Sequence, residues 1–297
     1  MKILISGSHG FIGSALHAHL RQQGHSLLRL IRLTQVARSD EVFWNPAEQF
    51  IEHGKLAGVD AVIHLAGENL YGRWNDKKKQ AIRDSRAIGT TFLSKTLAAK
   101  ADKPKVLICA SAIGYYGDRG EHDCIENTSG GEGFLAEIAR VWEDATKPAA
   151  DAGIRVVNLR FGIVLGKDGG ALAKMLTPFK MGMGGPLGDG QQWISWISML
   201  DAIRVIEFAM SRETLKGPFN AVSPHPVRNK EFARTLGRAL HRPEVVPIPR
   251  RMLHFMFGEM ADETLLASTK ALPHKLQLEE FQFEHPDLHT ALESILV

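Results

Sequence analysis

The stretch "ILISGSHGFIGSALHAHL" (residues 3–20) decides the fold, because it joins an apolar strand to a helix through three glycines spaced G-x-x-G-x-x-G. Gly7 permits a tight turn, Gly10 lets the backbone approach a pyrophosphate, and Gly13 allows close packing of the helix on the sheet. The helix N-terminus beyond them supplies free N–H groups and partial positive charge for that phosphate. The strand and the helix stand where this mechanism requires them, so the stretch predicts a dinucleotide-binding turn.

The first half of the chain alternates short apolar runs with longer helical patterns. We expect strands at 2–6, 25–32, 41–45, 60–66, 104–111 and 154–161, and helices at 11–23, 75–100 and 133–152. The strands are almost continuously apolar, which is typical of a sheet covered by helices on both faces. This order predicts an α/β fold of the Rossmann type, with a doubly wound parallel sheet.

The pattern changes after about Leu165. Glycines crowd into "KMGMGGPLGDGQQ" (180–192), a long loop whose length favours a functional role. Before a tail of helices interrupted by proline and glycine, we expect a helix, a strand and a helix near 201–211, 217–222 and 229–241. We predict a dinucleotide-binding Rossmann domain at 1–165 and a smaller, mostly helical C-terminal substrate domain at 166–297. Part of the second region is expected to return to the sheet, with a cleft between the two domains.

The end of the second strand indicates which dinucleotide is bound. NAD sites usually place an acidic residue there to hold the ribose 2′-hydroxyl, whereas NADP sites use an arginine for the 2′-phosphate. Arg32 follows "LLRLI", and no acidic residue occurs before Asp40. Because a guanidinium can bind a phosphate through two hydrogen bonds, Arg32 favours NADP. A solvated arginine at a strand end is the structural alternative.

Composition and charge argue against several other classes of protein. The 36 Lys and Arg residues against 33 Asp and Glu leave a net charge of +3, without the basic cluster expected of nucleic-acid binding. The two cysteines and 13 histidines show no metal-ligand spacing. The chain begins on a strand without a signal-peptide pattern, and no apolar run reaches the roughly 18 residues of a membrane span. We expect a cytoplasmic protein that binds neither metal nor membrane.

Two further motifs are not fulfilled by the sequence. "GIVLGKD" (162–168) has three residues between its glycines, where a phosphate-binding loop has four. Asp168 also stands where serine or threonine should follow the lysine. No G-x-S-x-G occurs, which argues against an α/β-hydrolase.

Several segments together resemble a known family. "GSHGFIG", "VIHLAGEN", "ASAIGYYG" and "GQQWISWISMLD" are similar to extended short-chain dehydrogenase/reductases of the NAD(P)-dependent epimerase/dehydratase superfamily. "GIVLGKDGGALAKMLTPFKMGMGGPLG" and the tail "ALPHKLQLEEFQFEHPDLHTAL" narrow the resemblance to the atypical, epimerase-like subfamily 39U with its C-terminal domain of unknown function. The resemblance covers essentially the whole chain. It implies a Rossmann domain, a small C-terminal substrate domain and bound NADP.

The resemblance also implies roles for individual residues. The positions that match the family's cofactor contacts are Gly7, Gly10, Phe11, Ile12, Gly13, Arg32, Ala66 and Gly67. Ser111, at the end of the fifth strand, matches the active-site serine or threonine. The carboxyl edge of an open α/β sheet is also where ligands bind on physical grounds.

One part of the family's machinery is missing. Related enzymes carry a Tyr-x-x-x-Lys pair on the next helix, where the lysine cation favours the phenolate and holds the nicotinamide ribose. Here "GFLAEIARVWE" (133–143) has Phe134 or Leu135 in the tyrosine position and Ile138 or Ala139 in the lysine position. This departure argues against the usual proton transfer.

Two replacements for the missing pair can be predicted. Tyr115 and Tyr116 lie four and five residues after Ser111, so one of them could donate a proton while Ser111 polarises a carbonyl. Glu137 could act as a base if it is buried. The structural alternatives are that Tyr116 packs within the turn and that Glu137 is solvated.

A second departure concerns the substrate. Relatives that act on nucleotide sugars place an arginine in the segment matching "GDGQQWISW" (188–196), where it pairs with the substrate's pyrophosphate, and this chain has Ile194 there. An isoleucine cannot supply a buried charge pair, so an ordinary UDP-sugar is not expected. Trp193 and Trp196 are predicted to wall a pocket for a less charged molecule, although Trp196 suits a core equally. Asp201, which opens the next helix, is predicted to be structural.

Two functions remain open. The first is an NADP-dependent oxidoreductase or epimerase-like enzyme that acts on a small carbonyl or alcohol. The second is a catalytically inactive NADP-binding regulatory or sensor protein, which the missing Tyr-x-x-x-Lys pair favours. The glycine-rich loop favours the enzyme, because a sensor needs no substrate pocket. A homodimer is expected only by analogy with the superfamily.

Overall fold

The computed structural model describes residues 1–32, 38–242 and 247–297. Its strands are β1 (Lys2–Ser6), β2 (Ser26–Ile31), β3 (Glu41–Asn45), β4 (Phe50–Ile51), β5 (Ala61–His64), β6 (Val106–Ala112), β7 (Asp123–Cys124), β8 (Arg155–Phe161), β9 (Ile163–Leu165), β10 (Trp193–Ile194), β11 (Trp196–Ser198), β12 (Gly217–Ala221), β13 (Val227–Arg228) and β14 (Lys270–Ala271). Its α-helices are α1 (Phe11–Gln22), α2 (Asp76–Ala98), α3 (Phe134–Asp144), α4 (Lys147–Asp151), α5 (Gly170–Lys180), α6 (Met199–Ser211), α7 (Asn229–Ala239), α8 (Arg250–Phe257), α9 (His274–Leu278) and α10 (Leu288–Leu296). A short π-helical turn covers Ala261–Leu265.

The central sheet has eight strands in the order β12-β8-β6-β5-β1-β2-β3-β4. Its strands pair in parallel except for the edge strand β4, which runs antiparallel to β3. The predicted α/β fold of the Rossmann type is therefore confirmed. From β1 the chain builds outward to β2 and β3 on one side, and to β5, β6, β8 and β12 on the other. Ligands in such sheets bind beyond the carboxyl ends of the strands, at the point where the order reverses.

Side chains alternate between the two faces of the sheet. Ile3 and Ile5 of β1 pack in a core with Leu16 of α1 and Val205 of α6. Leu4 faces the opposite core, which includes α2, as the two-residue period of a strand requires. The helices α2, α3 and α4 therefore cover one face, and α1 and α6 cover the other.

The predicted helix at 133–152 is wrong as a single element. The structure has α3 ending at Asp144 and a separate short helix α4 beginning at Lys147. Pro148 lies in the first turn of α4, where its missing N–H is tolerated, but inside a continuous helix it would remove a hydrogen bond and clash with the preceding turn.

The second half of the chain contributes both to the sheet and to a separate core. β12 pairs with β8, and α6 packs on the same face as α1. A further apolar cluster joins α5, α7 and α10 around Trp196. The C-terminal region is mostly helical, as predicted, although α5 and the short strands β10, β11, β13 and β14 were not anticipated. The edge strand β4 in the first half of the chain was not anticipated either. The domain boundary at residue 165 stays a prediction.

The glycine-rich loop at 180–192 is tied to the C-terminal region. The N–H of Leu187 donates to Oδ1 of Asn229 (2.7 Å), and the N–H of Gly188 donates to the carbonyl of Ile248 (2.9 Å). These bonds hold the loop against the start of α7 and the segment that leads into α8. In the described ranges, no helix is long and apolar enough to cross a membrane.

Candidate functional site

The glycine turn has the geometry that its spacing predicts. Gly7 adopts φ +68°, a left-handed conformation that favours glycine, and a Cβ there would lie 2.8 Å from the carbonyl carbon of Leu65. A Cβ at Gly13 would lie only 2.1 Å from the carbonyl oxygen of Gly7. The first turn of α1 therefore rests directly on the loop.

The start of α1 leaves backbone donors available. Gly10 is the N-cap residue, no side chain caps the helix, and its first turn contains no acidic residue. Across the part of the chain that the structure describes, the N–H groups of Phe11, Ile12 and Gly13 have no acceptor. Three free donors and the positive end of a 12-residue helix fit a pyrophosphate. No cluster of three or more metal-ligating side chains occurs among the described residues.

Three glycines pack closely around the ring of Phe11. The sequence did not predict this contact. A Cβ at Gly166, Gly169 or Gly170 would lie 2.8, 2.5 or 2.7 Å from that ring. The segment "GKDGG", which fails as a phosphate-binding loop, thus packs on the dinucleotide turn instead. It connects that turn to α5, whose Met175 lines the cavity described below.

A buried chain of hydrogen bonds supports the end of β5. Ser6 Oγ accepts from the N–H groups of Leu65 (3.1 Å) and Ala66 (3.2 Å) and lies 2.6 Å from Nδ1 of His64. Because Ser6 Oγ already accepts two bonds, it donates its proton to Nδ1, and Nε2–H of His64 donates to Thr90 Oγ1 (2.9 Å). Burial lowers the pKa of His64 to about 4, so the ring is neutral. The network fixes the backbone that leads into Ala66 and Gly67.

Arg32 lies at the carboxyl end of β2 with its side chain exposed. In residues 1–32, 38–242 and 247–297, no carboxylate pairs with it. Asp40, the first acidic residue after β2, is instead bound to Arg29, with contacts of 2.9 and 3.0 Å. The cation at this strand end is therefore available, and the acid beside it is already paired.

The hydroxyl of Ser111 is hydrogen-bonded within the protein. Its Oγ donates to Oε1 of Glu143 on α3 (2.8 Å), and both Glu143 oxygens bind the buried guanidinium of Arg160 (2.7 and 2.8 Å). The only proton of the serine hydroxyl is therefore used within the fold. This geometry favours a structural role over carbonyl polarisation, although the catalytic assignment of Ser111 stays a prediction.

The two tyrosines predicted to be catalytic differ sharply. Tyr116 is 0% exposed, and its hydroxyl lies 2.8 Å from Oδ1 of Asn220 and accepts from Arg160 (3.0 Å). Burial raises the pKa of Tyr116 to about 12, so this hydroxyl is poorly suited to donate a proton to a substrate. Tyr115 is half-buried, its ring stacks on Arg160 at 3.5 Å, and its hydroxyl has no partner among the described residues. Packing in the turn, the structural alternative, is what the geometry favours for Tyr116.

Helix α3 carries no proton-transfer pair and has an unusual cap. Glu137 is half-buried and bound to Arg83 (2.7 Å), so it is not the buried base considered above. The carboxylate of Glu263, from the π-helical turn, accepts from the N–H groups of Phe134 and Leu135 (both 2.7 Å). Gly133 has φ +98°, and a Cβ there would lie 2.8 Å from that carboxylate. The C-terminal region is thereby fastened to the start of α3.

A cavity of about 190 Å³ lies between the strand ends and the C-terminal region. Most of its walls are apolar side chains, from Ile113, Leu135, Phe161, Ile163, Met175, Leu187, Trp193, Ile194 and Leu265. Its polar groups are mostly engaged within the fold, as in Ser195, whose hydroxyl donates to a backbone carbonyl. Neither lysine nor arginine is among the lining residues. A larger groove of about 540 Å³ lies near Met1 and His25, at the amino ends of β1 and β2 and away from the expected ligand edge.

Of the residues that the sequence analysis named in the segment at 188–196 and just after it, some line the cavity and others are buried in the protein interior. Trp193 and Ile194 line the cavity, whereas Trp196 is 0% exposed and its Nε1–H donates to the carbonyl of His225. Asp201 is buried and accepts from the N–H groups of Glu284 and His285 (both 2.9 Å). Asp201 is therefore structural, as predicted, and it also joins the start of α6 to the segment at 284–285, which was not predicted.

Comparisons with known proteins agree with this arrangement. A family model described as "NAD dependent epimerase/dehydratase family" matches residues 3–222, and the "Domain of unknown function (DUF1731)" matches residues 248–295. The "Epimerase family protein Mb2239" of Mycobacterium bovis is 44% identical over 98% of this chain and 96% of its own length. The "Epimerase family protein SDR39U1 homolog, chloroplastic" of Arabidopsis thaliana is 37% identical over 100% of this chain and 87% of its own length.

A solved structure extends the likeness to three dimensions. The human epimerase family protein SDR39U1 (isoform 2), crystallised with NADPH, superposes with a TM-score of 0.90 and 31% identity, over 99% of each chain. The resemblance expected from the sequence motifs is thus confirmed. The chain belongs to the NAD(P)-dependent epimerase/dehydratase family and, within it, to the epimerase-like subfamily 39U with a C-terminal domain of unknown function.

Proposed function

We propose that this protein is an NADP-dependent oxidoreductase or epimerase-like enzyme that acts on a small, uncharged and largely apolar carbonyl or alcohol. The observation that carries the proposal is the apolar cavity at the carboxyl edge of the sheet, beside the ends of β6 and β8. A substrate there would lie on the same edge as the dinucleotide turn, where such sheets bind their ligands.

The preference for NADP rests on the end of β2. Arg32 is exposed and unpaired in the described part of the chain, and Asp40 is bound to Arg29, so a 2′-phosphate would meet a cation there. The human relative was crystallised with NADPH, which supports the same cofactor here. Gly7, Gly10, Phe11, Ile12 and Gly13 would hold the pyrophosphate through the backbone.

The substrate class follows from the cavity walls. An apolar lining without lysine or arginine cannot compensate a nucleotide sugar's pyrophosphate, since an unpaired buried charge is strongly unfavourable. Ile194 stands where such substrates would require an arginine. A compact ketone, aldehyde, quinone or the corresponding alcohol fits these walls, and ordinary UDP-sugars do not.

Two polar groups could act on a substrate in this cavity. Asn229 is buried, and its Oδ1 accepts from Leu187, so the opposite side of the amide presents Nδ2, which has no acceptor within the described ranges. This N–H₂ group would orient a substrate oxygen. Tyr115, the one predicted catalytic hydroxyl without a partner in the described ranges, does not line the cavity but directly follows Ile113 and Gly114, which do, and it would supply the proton. The bound cofactor supplies hydride transfer, and the apolar walls exclude water.

The first test is a fluorescence titration of the purified protein with NADPH and NADH. We expect NADPH to bind at least tenfold more tightly, which corresponds to about 1.4 kcal/mol. Arg32→Ala should weaken NADPH binding by about 1.5–3 kcal/mol, the value of a charged hydrogen bond, and leave NADH nearly unchanged. Arg251→Ala, at an exposed arginine on α8, is the control and should change neither. An equal loss for both cofactors would show that Arg32 acts through stability.

A catalytically inactive NADP sensor is the second candidate, favoured by the absence of tyrosine and lysine from α3 and by the internal bonds of Ser111 and Tyr116. NADPH consumption against a panel of quinones, aldehydes and ketones separates the two. Acceleration above background by at least one compound supports the enzyme. If NADPH binds tightly and no compound accelerates its consumption, the sensor is the better description.

A further inference from the structure

Glu263 places a carboxylate in the wall of the apolar cavity. It belongs to the π-helical turn at Ala261–Leu265 and, among the described residues that line the cavity, it is the only one whose side chain can carry a charge. Such turns are rare and frequently lie at functional sites. A carboxylate among apolar walls is unfavourable unless hydrogen bonds satisfy it, so its partners show how far the fold accounts for it.

The fold satisfies only part of this carboxylate. Oε1 of Glu263 accepts from the N–H of Phe134, and Oε2 accepts from the N–H of Leu135 (both 2.7 Å). A carboxylate has about four acceptor positions, two on each oxygen. Each oxygen of Glu263 therefore keeps a lone pair after it has capped α3.

The preceding carboxylate of the same turn is engaged differently. Asp262 is not among the residues that line the cavity, and it binds Arg250 (3.3 Å) and His254 (2.7 Å). Within the part of the chain that the structure describes, no lysine, arginine or histidine lies within ion-pair distance of Glu263. The carboxylate in the cavity wall is thus the one that remains available to a donor on a ligand.

The position of Glu263 relates it to the residues that α3 lacks. Phe134 and Leu135, to which it is bonded, stand where the resemblance expects a tyrosine, and Leu135 lines the same cavity. The backbone gives way to the carboxylate at Gly133, where a Cβ would lie 2.8 Å from Oε1 and 3.1 Å from Oε2. The C-terminal region therefore introduces a polar group at the place from which related enzymes reach their substrate.

The surroundings of Glu263 favour an uncharged donor. The two N–H groups and the positive end of α3 already compensate much of the negative charge. A cationic ligand would lose its hydration among walls that offer it no second carboxylate in the described ranges. A hydroxyl group is less costly to bury, and its hydrogen bond to a charged acceptor is stronger than one between neutral groups.

We propose that Glu263 binds a hydroxyl group of the substrate, so that the cavity takes hydroxylated carbonyl compounds in preference to simple ones. The inference rests on the proposed enzyme function and narrows its substrate class. Asn229 would orient the reacting carbonyl oxygen, and Glu263 holds a second oxygen of the same molecule. Glu263 determines specificity and takes no part in the transfer of hydride or proton.

The test compares carbonyl compounds that differ in one group. NADPH consumption is measured with cyclohexanone, 2-hydroxycyclohexanone and 2-methoxycyclohexanone, and with the same three forms of the other ketones and aldehydes of the panel. The methoxy compound keeps the oxygen but cannot donate a hydrogen bond. We expect kcat/KM for the hydroxy compound to exceed that for both others at least tenfold, because a buried acceptor left without its donor is unfavourable.

Two variants assign this preference to Glu263. Glu263→Gln keeps the shape and one acceptor for the cap of α3, and its NH₂ group can donate to a methoxy oxygen. The ratio of kcat/KM for the hydroxy to the methoxy compound should therefore fall to within twofold of one. Asp262→Asn makes the same change in the same turn outside the cavity and should leave the ratio unchanged. Thermal unfolding without ligand checks that both variants fold.

Each outcome supports or overturns the inference. If Glu263→Gln does not fold, the three compounds on the unmodified protein decide, and equal kcat/KM for the hydroxy and methoxy forms overturns the inference while the enzyme function stands. A preference that persists in a folded Glu263→Gln also overturns it, since Glu263 then only caps α3. If NADPH binds tightly and no compound accelerates its consumption, the proposed enzyme function has failed, and the role of Glu263 fails with it.

Discussion

Gly13→Ala tests whether the dinucleotide turn depends on the contact between α1 and the loop. In an ordinary helix this change stabilises the folded protein by about 1 kcal/mol, because glycine is a poor helix former. Here the added Cβ would lie 2.1 Å from the carbonyl oxygen of Gly7, 2.8 Å from its carbonyl carbon and 3.0 Å from Cα of Ser8. The first of these distances is more than 1 Å inside the 3.4 Å at which ordinary contact begins.

The obstructing atoms belong to the backbone, so no side chain can rotate out of the way. Overpacking of this kind costs about 1–3 kcal/mol, occasionally more, and outweighs the gain in helix propensity. We therefore expect the free energy of unfolding, measured by urea titration, to fall by about 1–3 kcal/mol. The shift of the loop should also misplace the N–H groups of Phe11 and Ile12 and weaken NADPH binding at least tenfold.

Gly54→Ala is the matched control for this change. A Cβ at Gly54 meets nothing within 4 Å, so neither stability nor NADPH affinity should change appreciably. If Gly13→Ala unfolds at the same or a higher urea concentration and binds NADPH normally, the close approach of α1 to the loop is wrong, and so is the role assigned to Gly13.

Two further predictions concern buried polar groups. Tyr116→Phe removes a hydroxyl bound to Asn220 and Arg160, so it should lower the free energy of unfolding by about 1–3 kcal/mol and leave NADPH affinity unchanged. Tyr115→Phe should have little effect on the free energy of unfolding. Equal losses of stability from the two changes would contradict the different roles given to the two hydroxyls. Burial lowers the pKa of His64 from 6.5 to about 4, so the unfolded chain binds more protons between those values. The free energy of unfolding should therefore fall as the pH drops through that window, by up to about 1 kcal/mol per pH unit. Urea titrations at pH 7 and pH 5 should show a smaller fall in His64→Gln than in the unmodified protein. Identical falls in both proteins would refute the assignment of His64 as a neutral, buried ring.

The sequence predicted those parts of the molecule that depend on neighbouring residues. Strands β1 and β3 were predicted at their observed bounds, and the other principal strands within about two residues, because continuous apolar runs require burial on both faces. The glycine turn was predictable because its backbone conformation and its helix N-terminus are local properties. The break between α3 and α4 also had a local signal in Pro148, which the prediction of one long helix overlooked.

The details of the candidate site depend on contacts that no local pattern contains. Ser111 donates to a residue 32 positions later, and Glu263 caps a helix that begins 129 positions earlier. The glycines that pack around the ring of Phe11 follow β9, more than 150 residues later in the chain. The residue type of Glu263 alone did not indicate that its side chain would face α3.

The sequence alone thus determined the fold, the position of the dinucleotide turn and the absence of the usual Tyr-x-x-x-Lys pair. Only the tertiary structure decided which hydroxyls are already bonded, which wall of the cleft is apolar, and that Glu263 lines the cavity without a cation partner in the described part of the chain. The physical reason is that secondary structure follows from periodicity and backbone preference within a few residues. The availability of a polar group depends instead on every element that packs around it.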